Sequence, residues 1–386
     1  MSRIIIITNR LVVGGPSVHL KQLIKNFSNK HKIFLIYGPP SEGESSMEDE
    51  FLEFGIEMKK LKYLKKSFNV YNDIRLIKVL TGIFNDFKPD IVHTHTFKPG
   101  LTGRYVAWKL NVSKIIHTYH GLIFKGYFSN IIASFLIIID RFLASKTHVI
   151  ITLSESQKEA IVNQYKITDK EKARIIPLAT SYRPEDFTKE KAALFRNKWK
   201  LDKDSQIIAQ VGRLADVKNV SLMIDVFHEL RKKSKTKVVL FIVGDGELKD
   251  ILIDQAQSLH LKVANGVARE NADVVFTSWC KDLVALYSAM NLLVLTSKNE
   301  GTPLNIIEAN IAGVAVMAPR VGGIGDMILD GETGILYDKA NEIEDKLLEL
   351  LKNPQNIIAL GNNASIYANQ KYSLQSMLKE YEKLYN

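Results

Sequence analysis

Cysteine is almost absent from the 386 residues. Cys280 stands alone, which excludes an intramolecular disulfide framework and any cysteine-rich metal site, and suits a reducing compartment. A membrane-spanning run is missing too. The longest apolar stretch away from the start, IIASFLIII at 131–139, stops at Asp140-Arg141, well short of the roughly 20 residues a bilayer requires. Met1-Ser2-Arg3 leads straight into IIIIT, with neither the length nor the cleavage site of a secretory leader, so the reading is of a cytoplasmic protein. There is no GxxxxGK[ST] loop, which disfavours nucleotide hydrolysis by a P-loop; VGDGE at 243–247 looks like a phosphate loop but reads better as a tight strand-to-helix turn. Metal ligands are sparse. His93 and His95 share one strand face without a third ligand at a standard spacing, and Asp202-Lys203-Asp204 belongs to a connecting segment. No RRM, KH or helix-turn-helix signature supports nucleic-acid binding.

What is present suits a globular α/β protein. Hydrophobic residues make up 46% and charged residues 24%, enough for full cores, and the length suggests two of them. The net charge of +10 is unevenly placed: residues 1–180 carry 26 Lys and Arg against 15 Asp and Glu, a net +11, while the remainder carries 26 against 27. An anionic partner for the first half follows, nucleic acid or an acidic membrane surface. Two stretches there interleave basic and aromatic residues. MKKLKYLKKSF at 58–68 (Lys59, Lys60, Lys62, Lys65, Lys66) reads as a lipid-headgroup contact or a solvated loop. FKGYFSNIIASFLIIIDRF at 124–142, flanked by Lys125, Arg141 and Lys146, reads as a lipid contact or, in preference, a buried interdomain helix.

Short apolar runs alternate with helical periodicity along the whole chain. RIIIITN, KIFLIYG, PDIVHTHT, KIIHTYHG and THVIITLS read as buried strands of one parallel sheet, and QIIAQVGRL, KVVLFIVGDGE, DVVFTSW, NLLVLTS and VAVMAP as those of a second. The expected fold is α/β, two doubly wound Rossmann-like domains at 1–180 and 181–370, with a linker near 176–187. A helix within 371–386 is expected to pack against one or both domains. Ligands of such sheets gather at the strands' carboxyl ends, which here carry Gly14-Gly15, His93, His95, His117, His120, Arg213 and Lys218. Gly14 and Gly15 allow close backbone approach or make an ordinary tight turn. Arg213 and Lys218 could neutralise a diphosphate, or be surface charges. His120, freed by Gly121, is a general-base or positioning candidate and equally a satisfied core histidine.

SKNEGTPLNIIEANIAG at 297–313 is the most informative stretch. It reads as strand, tight loop and helix, with Thr302 as N-cap, Pro303 in the first helical position and Gly313 as the stop. Unpaired amides at such a helix start suit an anion, with Glu300 and Glu308 beside it; a plain strand–loop–helix with solvated glutamates satisfies the same pattern.

In this order and at these spacings, RLVVGGPSVH, HTHTFKPG, HTYHG, LSESQ, IPLATS, VGRLADVKN, VGDGE and EGTPLNIIEANIAGVAVMAPRVGGIGDMI resemble the retaining, nucleotide-sugar-dependent glycosyltransferases of the GT-B fold, family 4. The resemblance spans nearly the whole chain. It implies two facing domains with a donor cleft between them, and a nucleotide sugar, most simply a UDP-sugar, as co-substrate without metal. It implies Gly14 and Gly15 against the donor diphosphate and Arg213 and Lys218 neutralising it. Glu300 would lie near the donor sugar, with the amides of Gly301, Thr302, Pro303 and Leu304 lining sugar and phosphate (Pro303 itself has none to give) and Glu308 holding the ribose. His120 becomes the acceptor-side catalytic histidine. Same-face transfer is implied, with a departing phosphate oxygen taking the acceptor proton. Thr302 stands where many relatives carry a bulky aromatic, which resembles bacterial surface-polysaccharide enzymes; Asn305 and Asn310 are also unusual there. The implied acceptor is a lipid-linked or surface glycan at the inner membrane face, and nucleic acid is not an expected partner. A small soluble acceptor and a nucleotide-sugar epimerase are the rival readings.

Overall fold

The structure, a computed structural model, describes residues 1–65, 69–122, 124 and 129–386. It divides into two compact units, Met1–Ala179 with Leu374–Asn386, and Thr180–Ser373. The helix Leu374–Tyr385 therefore belongs to the first unit. Its Met377, Tyr381, Leu384 and Tyr385 enter the same core cluster as Ile4, Ile6, Leu20 and Leu23.

The first unit is a seven-stranded parallel sheet of β1 (Arg3–Arg10), β2 (Lys32–Gly38), β3 (Glu57–Lys60), β4 (Ile91–His95), β5 (Lys114–Thr118), β6 (Val149–Thr152) and β7 (Ala173–Ile175), in the order β3-β2-β1-β4-β5-β6-β7. Ile4 to Ile7 are fully buried because helices cover both faces, so the strand is apolar throughout rather than alternating. The lysine-rich stretch at 58–68 is a correction to the sequence reading. Its first part is the edge strand β3, paired with β2 and exposed at Glu57, Lys59 and Lys60; Lys66, Ser67 and Phe68 lie outside the described residues. Charged side chains on a short edge strand discourage further pairing.

The second unit repeats the design with β8 (Gln206–Val211), β9 (Val238–Val243), β10 (Val263–Asn265), β11 (Val274–Phe276), β12 (Leu292–Val294), β13 (Ala315–Pro319) and β14 (Ile335–Tyr337), in the order β10-β11-β9-β8-β12-β13-β14. In each sheet the order reverses at one point, between β1 and β4 and between β8 and β12. Crossovers there leave in opposite directions and open a crevice at the strands' carboxyl ends.

The expected buried helix at 130–145 is the second correction. The helix Asn130–Ser145 has one inner face and one bare one, with Ile131, Phe135 and Ile138 at 84%, 61% and 61% exposure. Its inner face carries Asp140, fully buried and ion-paired to Arg104 of the helix Phe97–Lys109. The Arg104 Nε donates to Gly100 O at 2.6 Å, and the Tyr119 hydroxyl donates to the second Asp140 oxygen at 2.6 Å. Removing one partner strands a buried charge. Arg104→Leu is expected to destabilise the protein by about 3–5 kcal/mol, and Arg104→Leu/Asp140→Leu to recover much of that loss, as read from urea unfolding.

Candidate active site

In the Thr180–Ser373 unit the loops after β8, β9, β12 and β13 lock together through their backbones. A Cβ on Gly244 would stand 1.9 Å from the Gly212 carbonyl oxygen, and one on Gly322 would stand 1.7 Å from that of Glu300. Only glycine fits, and both have positive φ, 142° and 55°. Gly323 N–H donates to Gly301 O at 2.9 Å, and Leu214 N–H to Asp245 O at 2.9 Å. VGDGE is thus a turn held against the β8 loop, and Gly322-Gly323 backs the Glu300-Gly301 segment.

Lys218 ends a single helical turn, Asp216–Lys218, before Asn219 in the left-handed region. Its backbone is held by two side chains that the sequence reading did not single out. Buried Gln210 donates to Lys218 O at 2.9 Å, and the buried Thr296 hydroxyl donates to Asn219 O at 2.8 Å. So placed, Lys218 Nζ donates to Glu300 Oε1 at 2.6 Å, and the Ser297 hydroxyl donates to the same oxygen at 2.6 Å. Residues 82 apart in sequence form one ion pair across the switch point. Arg213, on the same loop, is partly buried.

The helix after Glu300 runs Leu304–Ile311 with Pro303, not Thr302, as its N-cap, and no side chain caps it. The proline's extended backbone precedes the first turn, so the start shifts by one residue. Asn305 Nδ2 donates to Val211 O at 2.6 Å, tying the helix start to the end of β8. The stop is as read: Gly313 N–H bonds Asn310 O and Val314 N–H bonds Ala309 O, both at 2.9 Å. Every residue from Ile306 to Ile311 is buried, including Glu308 and Asn310, so the solvated-glutamate alternative fails for Glu308. Burial raises the Glu308 carboxyl to about 7, against the pull of the Tyr287 hydroxyl, which donates to Oε2 at 3.0 Å. Tyr182 lies near enough that burial, then Glu308, pushes its phenol up to about 12.

In the first unit, parallel register sets His93 beside Ile116, Thr94 beside His117 and His95 beside Thr118. His120 follows just beyond the end of β5. A file of rings results, joined by His19 from the helix Gly15–Phe27, which the sequence reading passed over. His95 Nδ1 and His120 Nε2 are 3.0 Å apart, His93 Nδ1 meets the Tyr385 hydroxyl at 2.8 Å, and His19 Nε2 meets that of Tyr381 at 3.0 Å. The rings of His93 and His95 are 4.0 Å apart. Burial lowers the basicity of all four, His93 and His120 to about 3. The neighbouring loop is strained: Thr96, a β-branched residue, sits at φ 66°. Gly14, at a positive φ of 158°, caps the helix Gly15–Phe27, and a Cβ there would meet nothing within 4 Å. Among the described residues no group of three or more His, Cys, Asp or Glu is arranged to hold a metal ion.

Two doubly wound parallel sheets, each with its own switch point, match the GT-B architecture of known glycosyltransferases. Residues 192–367 match the family described as Glycosyl transferases group 1, and residues 13–180 match Glycosyltransferase Family 4. The chain belongs to the group 1, family 4 glycosyltransferases. Among its relatives, the capsular polysaccharide biosynthesis glycosyltransferase CapM of Staphylococcus aureus is 27% identical over 349 residues, 89% of this chain and 88% of CapM. The UDP-Gal:alpha-D-GlcNAc-diphosphoundecaprenol alpha-1,3-galactosyltransferase of Escherichia coli is 25% identical over 334 residues, 83% of this chain and 84% of the relative. The fold matches that of Anabaena HepE, solved in complex with UDP and glucose, with a TM-score of 0.80 at 16% identity over 99% of both chains.

The raised Glu308 carboxyl generates a pH prediction. A carboxyl whose folded pKa lies above its unfolded value costs nothing at low pH and destabilises as pH rises through the folded value, here from about 4.5 to about 7. The full cost is on the order of 3 kcal/mol. Glu308→Gln should therefore equal wild type in stability near pH 4 and exceed it at pH 8, as read from urea unfolding at both pH values.

Proposed function

We propose that this glycosyltransferase moves a sugar from a UDP-sugar to a lipid-linked or surface-glycan acceptor with retention of anomeric configuration. The observation that carries the donor half is the Lys218–Glu300–Ser297 contact at the switch point. A partly buried cation beside a carboxylate can exchange that partner for a diphosphate oxygen with less further desolvation than a solvated one. Arg213 supplies a second positive charge, so the leaving group is neutralised without a metal ion. Gly14 and Gly15 line the diphosphate, and the amides of Gly301, Thr302 and Leu304 face sugar and phosphate. Glu308 accepts from the ribose hydroxyls. As the bond from C1 to the diphosphate breaks, the acceptor oxygen bonds C1 on the same face and its proton passes to the departing phosphate oxygen. His120, neutral, contacts the donor sugar. The UDP-Gal specificity in the name of the Escherichia coli relative and the UDP bound in HepE support a UDP-sugar. Hexosyl or N-acetylhexosaminyl transfer both fit the reading.

Support for the lipid-linked acceptor comes from the helix Asn130–Ser145. Its exposed Ile131, Phe135, Ile138 and Phe142 recur at helical spacing on one side, with Lys146 Nζ 5.8 Å from the Phe142 ring and Lys109 Nζ 4.5 Å from that of Trp108. Beside it, an apolar cavity of about 370 Å³ is lined by Ile77, Leu101, Tyr105, Ile139, Phe142 and Leu143. Apolar side chains ringed by cations suit an anionic leaflet at the inner face of the membrane. Lys125 lies outside the described residues. Among the described residues no helix is long and apolar enough to cross a membrane, so contact in this reading is peripheral.

Three measurements test the proposal. Lys218→Ala and Arg213→Ala should each cost roughly 100-fold or more in transfer while the fold persists, and full transfer by either variant would overturn the donor reading. UDP-sugars should raise the melting temperature of the wild type and do so less for Lys218→Ala. In flotation at modest salt the wild type should rise with anionic vesicles and Phe135→Asp/Ile138→Asp should not. Absence of wild-type binding favours a small soluble acceptor.

A further inference from the structure

The contact between His95 and His120 has one proton in it, and which ring owns that proton decides what His120 can do. Both rings are neutral at pH 7, since burial, and for His95 the neighbouring imidazoles as well, lower their basicity far below the usual value. Each ring therefore carries a single N–H. If His120 Nε2 holds the shared proton, His95 must carry its own on Nε2, leaving His120 Nδ1 as a bare lone pair. If His95 Nδ1 holds it, His95 Nε2 is the bare lone pair and His120 carries its proton on Nδ1.

Neither His95 Nε2 nor His120 Nδ1 has a hydrogen-bond partner among the described residues. One orphaned donor and one orphaned acceptor must exist in either arrangement, and the rings differ in where an orphan can be tolerated. His95 is 0% exposed, sealed at the end of β4 beneath the ring of His93. His120 is partly exposed and is followed by Gly121, beside which a Cβ would meet nothing within 4 Å. A buried N–H without an acceptor is the costlier orphan, and on His95 nothing can relieve it. His120 Nδ1 is enclosed too, but it belongs to a residue partly exposed at the strand's end before Gly121, the side from which a substrate can reach it.

We propose that His95 is a positioning residue that donates its Nδ1–H to His120 Nε2, fixing His120 as the Nδ1–H tautomer, so that His120 meets the substrate as a hydrogen-bond donor and not as a general base. The rest of the file holds His95 in place. His93, its ring tilted 41° against that of His95, has both ring nitrogens engaged, by the Tyr385 and Thr118 hydroxyls, each at 2.8 Å. The substrate atom that His120 addresses is accordingly an acceptor, a sugar hydroxyl or phosphate oxygen of the donor or acceptor. This deepens the transferase reading above and rests on it only for what His120 touches.

The test uses the full chain with ¹⁵N-labelled histidine and long-range ¹H–¹⁵N correlation at pH 7, assigned through His120→Ala. His120 should show protonated Nδ1 and unprotonated Nε2. His95→Asn, whose side-chain amide reaches the position of Nδ1, should keep that signature and most of kcat. His95→Leu should lose it and lower kcat at least roughly tenfold with donor KM little changed. His120→Asn should likewise outperform His120→Gln. An Nε2–H tautomer in the wild type, or one unmoved by His95→Leu, overturns the proposal. If instead the tautomer is as expected but His120→Ala transfers at the wild-type rate, the catalytic reading of His120 fails and the assignment to His95 stands.

Discussion

Carbonyl oxygens occupy the places where side chains would ordinarily sit in the Thr180–Ser373 unit, and the contact between Lys218 and Glu300 depends on that closeness. Gly244 leaves room for the Gly212 carbonyl and Gly322 for that of Glu300, which draws the loops after four strands into one rigid body. Lys218 and Glu300 can then meet without long, flexible reaches. Gln210 and Thr296 act on the lysine's backbone, not its side chain, so its aim is set by the sheet. A rigid frame of this kind preorganises charge before any ligand arrives, which is where electrostatic stabilisation gains its strength.

The histidine end of the other unit follows a different electrostatic rule. Charge is concentrated at Lys218, Glu300 and Arg213, whereas around His120 it is removed. Packing His19, His93, His95 and His120 together under a tyrosine-bearing helix makes protonation of any one of them unfavourable, through desolvation and mutual repulsion. Polar contacts there are made by dipoles, whose direction matters more than their strength.

The sheets were legible because a parallel strand covered on both faces must be apolar along its length, as in Ile4 to Ile7, and because strand ends in such folds collect ligand residues. Glu300, Lys218 and Arg213 could be marked on that ground, though nothing in the spacing revealed that the first two touch. Edge strand β3 was hidden because it is short and solvated, so its lysines outweigh its pattern. The helix Asn130–Ser145 misled for the opposite reason: apolar density suggests burial and cannot say what provides it. His19 escaped because a histidine between Val18 and Leu20 reads as part of an amphipathic face. Its partner, Tyr381, is 362 residues away. Whether Glu308 was enclosed or solvated stayed open in the sequence, since a helix packed on all sides has no polar stripe to betray which of its charges is enclosed.

Return of the chain to the first unit through Leu374–Tyr385 has a consequence for synthesis. The second unit emerges from the ribosome as one continuous segment and can close its core as soon as residue 373 is free. The first cannot. Until the last helix is made, Ile4, Ile6 and Leu20 lack part of their cover, and His19 and His93 lack the hydroxyls that orient them. Contacts spanning nearly the whole chain are slow to form, and a basic, half-covered sheet must persist through most of translation. Completion of the histidine file therefore waits on residues 374–385, later than the Lys218–Glu300 contact, and a chain interrupted before residue 374 would carry a complete second unit beside a first unit lacking that cover.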